Sequence, residues 1–157
     1  GFTLFSEVAT TSGTSATFTG IGSGVKVIKI VFELVSISGS GDELEIRIGD
    51  AGGLEASGYS SMSSTGDNTG YSGTAGYAIG NDAGVADAFS GVIELVLKDA
   101  TNNTWCLSGI IADDNQTADN FFSGGVKSLS ATLDRVSFNT ETGQTLDGGS
   151  IAILTSE

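Results

Sequence analysis

Histidine is absent from this chain of 157 residues, and cysteine occurs once. Without histidine the chain lacks the commonest general base, the Ser-His-Asp and Cys-His catalytic arrangements and every histidine-ligated metal site. The single cysteine, Cys106, cannot form an internal disulfide, which excludes a disulfide-stabilised secreted scaffold. Because Cys106 follows Trp105 in an apolar segment, we expect it to be a small buried hydrophobic residue.

Basic residues are also scarce: six Lys and Arg stand against 19 Asp and Glu, which gives a net charge of −13. Nucleic acid is therefore not an expected partner, since binding to phosphates requires clustered basic side chains. An anionic membrane surface is disfavoured for the same reason. A cationic partner, a divalent ion or a neutral sugar remains allowed, and the alternative is that the charge serves solubility.

Long apolar runs are missing as well. The longest, Ile28 to Ile37, is interrupted by Lys29, Glu33 and Ser36, so we expect no transmembrane helix and no membrane insertion. Hydrophobic residues nevertheless make up 39% of the chain, enough to offset the entropy of ordering it. The length and composition predict one folded domain over residues 1–157.

Alternating apolar and polar residues predict β-strands. In the segment Glu43 to Gly49, the apolar residues Leu44, Ile46 and Ile48 are expected to point inward, with Glu43, Glu45 and Arg47 facing water. A one-residue slip in the alternation after Leu133 predicts a β-bulge near Asp134 and Arg135. No segment shows a convincing helical period. We therefore predict an all-β fold, an antiparallel β-sandwich of jelly-roll type.

Residues 56–91 form a long Gly/Ser/Tyr-rich loop region. Structureless loops of that length are uncommon inside compact domains. We expect weak strands near Tyr59, Tyr71 and Tyr77, joined by long connections; the alternative is a functional surface loop.

Five aromatic residues lie among small polar residues, as in many recognition surfaces for sugars or proteins. They are candidate contacts for a receptor or partner: Tyr59, Tyr71, Tyr77, Phe121 and Phe122. The alternative is that they cap the ends of the sandwich or fill a subunit interface.

Acidic residues suggest two further sites. Calcium takes carboxylate, amide and carbonyl oxygens from loops, and the best candidate loop offers Asp113, Asp114, Asn115 and Asp119. Asp and Asn are also favoured in turns for their own hydrogen bonding, which is the alternative. Glu43 and Glu45 share a strand face and could formally act as a glycosidase pair, but a solvated polar face explains them, so we expect no enzyme and no cofactor other than calcium.

Several short segments follow one another in a distinctive order. They are Ser15–Ile21, Ile46–Tyr59 with its Gly-Asp-Ala-Gly-Gly turn, Leu133-Asp134-Arg135, Gly148-Gly149-Ser150, Ile151–Leu154 and the final Glu157. Each is weak alone, but their order and spacing resemble the C-terminal module of bacteriophage tail fibres over most of residues 10–157. The resemblance implies a non-enzymatic homo-oligomer on the virion surface, commonly a trimer, that contacts other virion proteins and a host glycan or protein during host attachment.

Two alternatives stay open beside the tail-fibre hypothesis: a capsid decoration (cement) protein that stabilises the head shell, and a bacterial surface adhesin or filament subunit. Residues 1–13 are too short for the shaft that usually precedes a fibre module, which favours the decoration protein. An extended arm formed by Phe2, Leu4, Phe5 and Val8 would then add a strand to a neighbouring subunit. The alternative is an ordinary first strand of the sandwich.

Overall fold

A computed structural model describes residues 1–66, 70–114 and 119–157 of the protein. These residues form β-strands joined by turns, without an α-helix, and so they include no helix of the length and hydropathy needed to cross a membrane. The strands are β1 (Thr3–Leu4), β2 (Val8–Ala9), β3 (Ser15–Thr19), β4 (Val27–Ile37), β5 (Asp42–Asp50), β6 (Gly53–Leu54), β7 (Ser60–Ser64), β8 (Gly70–Gly73), β9 (Tyr77–Ala83), β10 (Phe89–Asp99), β11 (Thr104–Asp113), β12 (Asn120–Ser128), β13 (Arg135–Thr140) and β14 (Leu146–Ser156).

Two antiparallel sheets pack against each other. The large sheet has the order β1-β14-β4-β10-β11-β12-β7-β8, with β2 also paired to β14. The small sheet has the order β3-β13-β5-β6, with β9 paired to β5. The predicted all-β sandwich is thus confirmed, and the jelly-roll connectivity stays a prediction.

The core lies between the inner faces of the two sheets. In β10, and in β4 as far as Phe32, every second residue points inward, so that Ile30 and Ile93 are buried and pair directly. Phe32 of the large sheet meets Phe138 of the small sheet edge to face, with ring centroids 5.4 Å apart. Burying a side chain of this size contributes roughly 1.5–3 kcal/mol, so this double layer of aliphatic and aromatic residues is the main source of stability.

Residues 129–134 differ from the sequence-based expectation. The predicted bulged strand is absent, because β12 ends at Ser128 in the large sheet and β13 begins at Arg135 in the small one. The intervening residues cross between the sheets, and Leu129 and Leu133 are buried during the crossing. The slip in the apolar pattern therefore marks a change of sheet and not a β-bulge.

The Gly/Ser/Tyr-rich region 56–91 is also largely strand. It contains β7, β8 and β9 and the start of β10, which confirms the expected weak strands. Glycine makes the close packing here feasible. A Cβ on Gly73 would lie 2.4 Å from the carbonyl oxygen of Gly76, a contact that no side chain tolerates.

Candidate functional site

Two of the predicted recognition tyrosines belong to the core. Tyr77 is fully buried and Tyr59 is 4% exposed, and their rings meet edge to face at 5.0 Å. The Tyr77 hydroxyl donates to the carbonyl oxygen of Trp105 at 2.8 Å, and the Tyr59 hydroxyl accepts from the Ile48 amide at 2.9 Å. Burial raises the pKa of Tyr59 to about 12. The prediction that these two rings form a recognition surface is wrong.

The other three aromatic candidates are divided between interior and surface. Phe121 is buried beside Phe89, with ring centroids 6.0 Å apart, so its assignment to a surface is also wrong. Phe122, its neighbour on the opposite face of β12, is exposed. Tyr71 is half-buried; burial raises its pKa, and its hydrogen bond to the Glu141 carboxylate raises it further. Only Tyr71 and Phe122 therefore remain available to a partner.

Asp113 and Asp119 of the predicted calcium loop lie near each other and near Asp87, which precedes β10. Asp113 is 6% exposed, its amide donates to the carbonyl oxygen of Asp119 at 2.8 Å, and its Oδ1 has no hydrogen-bond partner. Desolvation raises the pKa of Asp113 to about 6, and the charges of Asp87 and Asp119 raise it as well. This carboxyl group consequently retains a proton well above the pH at which an exposed aspartate loses it.

The other predicted calcium ligands are not gathered around Asp113. Asp114 is exposed, its amide donating to the Ala88 carbonyl oxygen at 2.9 Å, and Asn115 lies outside the described residues. Within the part of the chain that the structure describes, no three His, Cys, Asp or Glu side chains are arranged to hold a metal ion. Calcium binding at Asp113, Asp114, Asn115 and Asp119 stays a prediction.

The proposed N-terminal arm pairs within its own chain. Thr3 and Leu4 form the edge strand beside β14, and Val8 pairs with Ile151. Phe5 and Val8 pack on the core, whereas Phe2 and Leu4 are 50% and 67% exposed. This is the arrangement of an ordinary first strand, and addition of the arm to a neighbouring subunit stays a prediction.

Two ion pairs that the sequence did not predict are buried on at least one side. Glu45 and Arg47 were expected to face water, but Glu45 is fully buried and pairs with the partly exposed Arg47. Burial raises the pKa of Glu45, although the neighbouring Arg47 opposes that change. In the second pair, Lys127 is 7% exposed and lies 2.5 Å from the Glu55 carboxylate. The alternation of apolar and polar residues predicts on which face of the strand a side chain lies. It does not show whether another part of the chain covers that face.

The outward face of the large sheet carries most of the exposed large hydrophobic residues that the structure describes. Eight of the eleven exposed large hydrophobic residues in the described ranges lie there, 39–67% exposed, so the apolar exposure is concentrated on one face. Phe2 is one of them, because its ring centroid lies 5.0 Å from Nζ of Lys29 on the same face. We call this the exterior face, and its apolar members are Phe2, Leu4, Met62, Val92, Val96, Ile110, Phe122 and Val126. Cys106 also lies on it, half-buried between Val96 and Val126, so the expectation of a core cysteine is wrong.

The register of the strands aligns these residues in rows. One row crosses the sheet as Ala152, Val31, Val92, Ile110 and Phe122, and the adjacent row as Leu4, Leu154, Lys29, Glu94, Ser108 and Gly124. Lys29 and Glu94 form an ion pair at 3.6 Å. The centre of the exterior face thus combines an apolar row with a row that holds one ion pair, and together these two rows carry no net charge, although the chain carries −13.

The fold and this face define an all-β, two-sheet sandwich with an unpartnered apolar surface. No protein-family model matches the chain, and no curated protein or solved structure is detectably similar to it.

Proposed function

We propose that the chain is a non-enzymatic structural module of a bacteriophage virion surface, of tail-fibre type, that serves host attachment. The observation that carries this proposal is the exterior face. A contiguous apolar patch on a soluble domain is typical of a surface that binds another macromolecule. The order of the tail-fibre-like segments supports a location on a virion, and a jelly-roll connectivity would suit that role.

A second function is favoured by the shape of the same face. A broad sheet with its apolar side outward can dock on a repeating protein shell, as a capsid decoration protein would. Such a protein stabilises the shell by the apolar area that it buries. The two functions share the contact surface and differ in the partner.

Competition experiments separate these functions. Purified chain added to host cells before infection is expected to lower phage adsorption if it is the attachment module. Purified chain added to capsids that lack it is expected to bind and to raise their disruption temperature if it is a decoration protein. Failure in both experiments would overturn the proposal.

Tyr71 lies off the exterior face, on the side of the sheet that also carries its buried pairing partner Ser63, and it tests the attachment function separately at one residue. Its half-buried ring is the surviving tyrosine of the predicted recognition surface, so Tyr71→Ala should weaken the competition while the domain stays folded. Tyr71→Phe, which removes only the bond to Glu141, serves as the matched control. Full competition by the alanine variant would contradict a role for Tyr71 in attachment.

A further inference from the structure

We propose that the exterior face is self-complementary and that a second copy of this chain packs on it. The proposed two-fold axis runs parallel to the strands between β4 and β10, in the plane between the two copies. It places β4 of each copy over β10 of the other and the β14 edge of each over β11. This proposal stands on the sheet face alone and does not depend on whether the chain belongs to a virion. The dimer differs from the trimer that the tail-fibre resemblance implies, and its second copy would compete with a host or shell partner for the exterior face.

Charge favours a second copy over another partner. A chain of net charge −13 repels its own copies in most orientations. At the centre of the exterior face, however, one cation and one anion occupy neighbouring strands, because Lys29 pairs with Glu94 across β4 and β10. The proposed axis places Lys29 of each copy opposite Glu94 of the other. The two copies therefore meet at a region where their charges match.

The sizes of the side chains on the two sides of the proposed axis are also complementary. On the β14 side of the axis one row carries large residues, Leu154 and Leu4; on the β11 side it carries Ser108 and Gly124. The row continues to Met62 on β7, which lies beyond the β1 edge of the second copy and outside the proposed contact. The two-fold axis lays the large half of the row over the small half of its copy.

The adjacent row has the reverse order. Small Ala152 lies on the β14 side, and Ile110 and Phe122 lie on the β11 side. The same axis therefore brings Ile110 over Ala152 of the second copy. One two-fold rotation therefore places large side chains over small ones in both rows, as an isologous interface requires.

The area predicts the strength of the association. Six strands at about 4.8 Å spacing and about five residues along each strand give on the order of 500 Å² per copy. Standard interfaces bury about 800 Å² per partner, so we expect a weak dimer that dissociates on dilution. Twisted sheets pack with their strands within about 30° of each other, which preserves the contacts nearest the axis.

Sedimentation equilibrium over a range of protein concentrations tests the proposal. The expected result is a mass that rises from 15.8 kDa toward twice that value as the concentration increases. Ile110→Asp should keep the chain monomeric. Val85→Asp serves as the matched control, because Val85 is also apolar and exposed but lies in the turn between β9 and β10, off the exterior face. A wild-type chain that stays monomeric throughout would overturn the proposal and leave the proposed function standing.

Ser108→Leu distinguishes the proposed complementary packing from non-specific hydrophobic association. Ser108 is exposed, so the leucine points outward and its own domain should fold. Extra apolar surface would strengthen non-specific association. In the proposed dimer the new side chain collides with Leu154 of the second copy and should weaken association about tenfold or more. Tighter association of this variant would overturn the proposed packing.

A charge reversal adds an independent readout. Lys29→Glu alone and Glu94→Lys alone each bring like charges together across the axis and should weaken the dimer. The double variant restores opposite charges both within and between the copies and should recover association. Single reversals that leave the dimer unchanged would contradict the proposed axis.

Discussion

Replacing Asp113 with asparagine should make the protein more stable at neutral pH. The carboxyl group is 6% exposed, one of its oxygens lacks a hydrogen-bond partner, and Asp87 and Asp119 lie nearby. Its pKa rises from 3.8 to about 6 on folding, first through desolvation and then through those two charges. Losing the proton is therefore harder in the folded protein than in the unfolded chain.

The sign of the pH dependence follows from this difference. Between pH 3.8 and about 6 the folded state binds more protons at Asp113 than the unfolded state, so stability falls as the pH rises through this window. Above about pH 7 the loss is complete and amounts to on the order of 2 kcal/mol. The amide side chain that Asp113→Asn (D113N) introduces does not titrate, so the variant avoids this loss.

Urea denaturation of wild type and D113N at a series of pH values between about 4 and 8 measures the effect. The two proteins should be closely similar near pH 4, and D113N should be more stable by on the order of 2 kcal/mol near pH 7.5. Asp114→Asn removes the same charge from an exposed neighbour and controls for the general repulsion in this acidic chain. A constant difference between wild type and D113N at all pH values would refute the reasoning.

The same titration tests calcium. If Asp113 holds calcium, added calcium should remove the loss of stability in wild type at neutral pH and should leave D113N unchanged. Equal denaturation curves with calcium and with a chelator would contradict the calcium site.

Two further predictions concern buried contacts. Arg47→Met leaves the fully buried Glu45 carboxylate without its cation and should cost about 3 kcal/mol. The loss should be larger at about pH 8 than at about pH 5 because an unpaired buried carboxylate prefers its proton; equal losses in urea denaturation would argue against this. Gly125→Ala places a Cβ 2.9 Å from Cδ1 of Tyr77 and should lower the free energy of unfolding by about 1–3 kcal/mol. At Gly124 the nearest atom to an added Cβ lies 3.9 Å away, so Gly124→Ala should leave the melting temperature unchanged. Equal melting temperatures for the two alanine variants would contradict the close packing at Gly125.

The sequence predicts the strands well because alternation directly records which side of a strand is buried. Leu44, Ile46 and Ile48 point inward as expected. Alternation fails for Glu45, since the polar side of β5 is covered by residues distant in sequence. A Cβ on Gly76 would lie 2.6 Å from the Glu45 carboxylate, and nothing in the local pattern of β5 reveals this cover.

The candidate site was harder to predict for the same reason. Tyr59 and Tyr77 have polar neighbours along the chain, but in the fold their rings meet each other and the Tyr77 hydroxyl reaches Trp105. The exterior face could have been predicted from the sequence of β10. Strand β10 carries apolar residues on both sides, such as Val92 beside Ile93, and a strand that is apolar on both sides predicts a partner on each.

The stoichiometry of this chain in purified phage particles tests the proposed function most directly. Quantitative mass spectrometry against the major capsid protein gives the ratio. The tail-fibre function predicts a few copies per hundred capsid subunits, whereas a ratio near one per subunit would identify a decoration protein. Absence of the chain from the particles would contradict a virion function altogether.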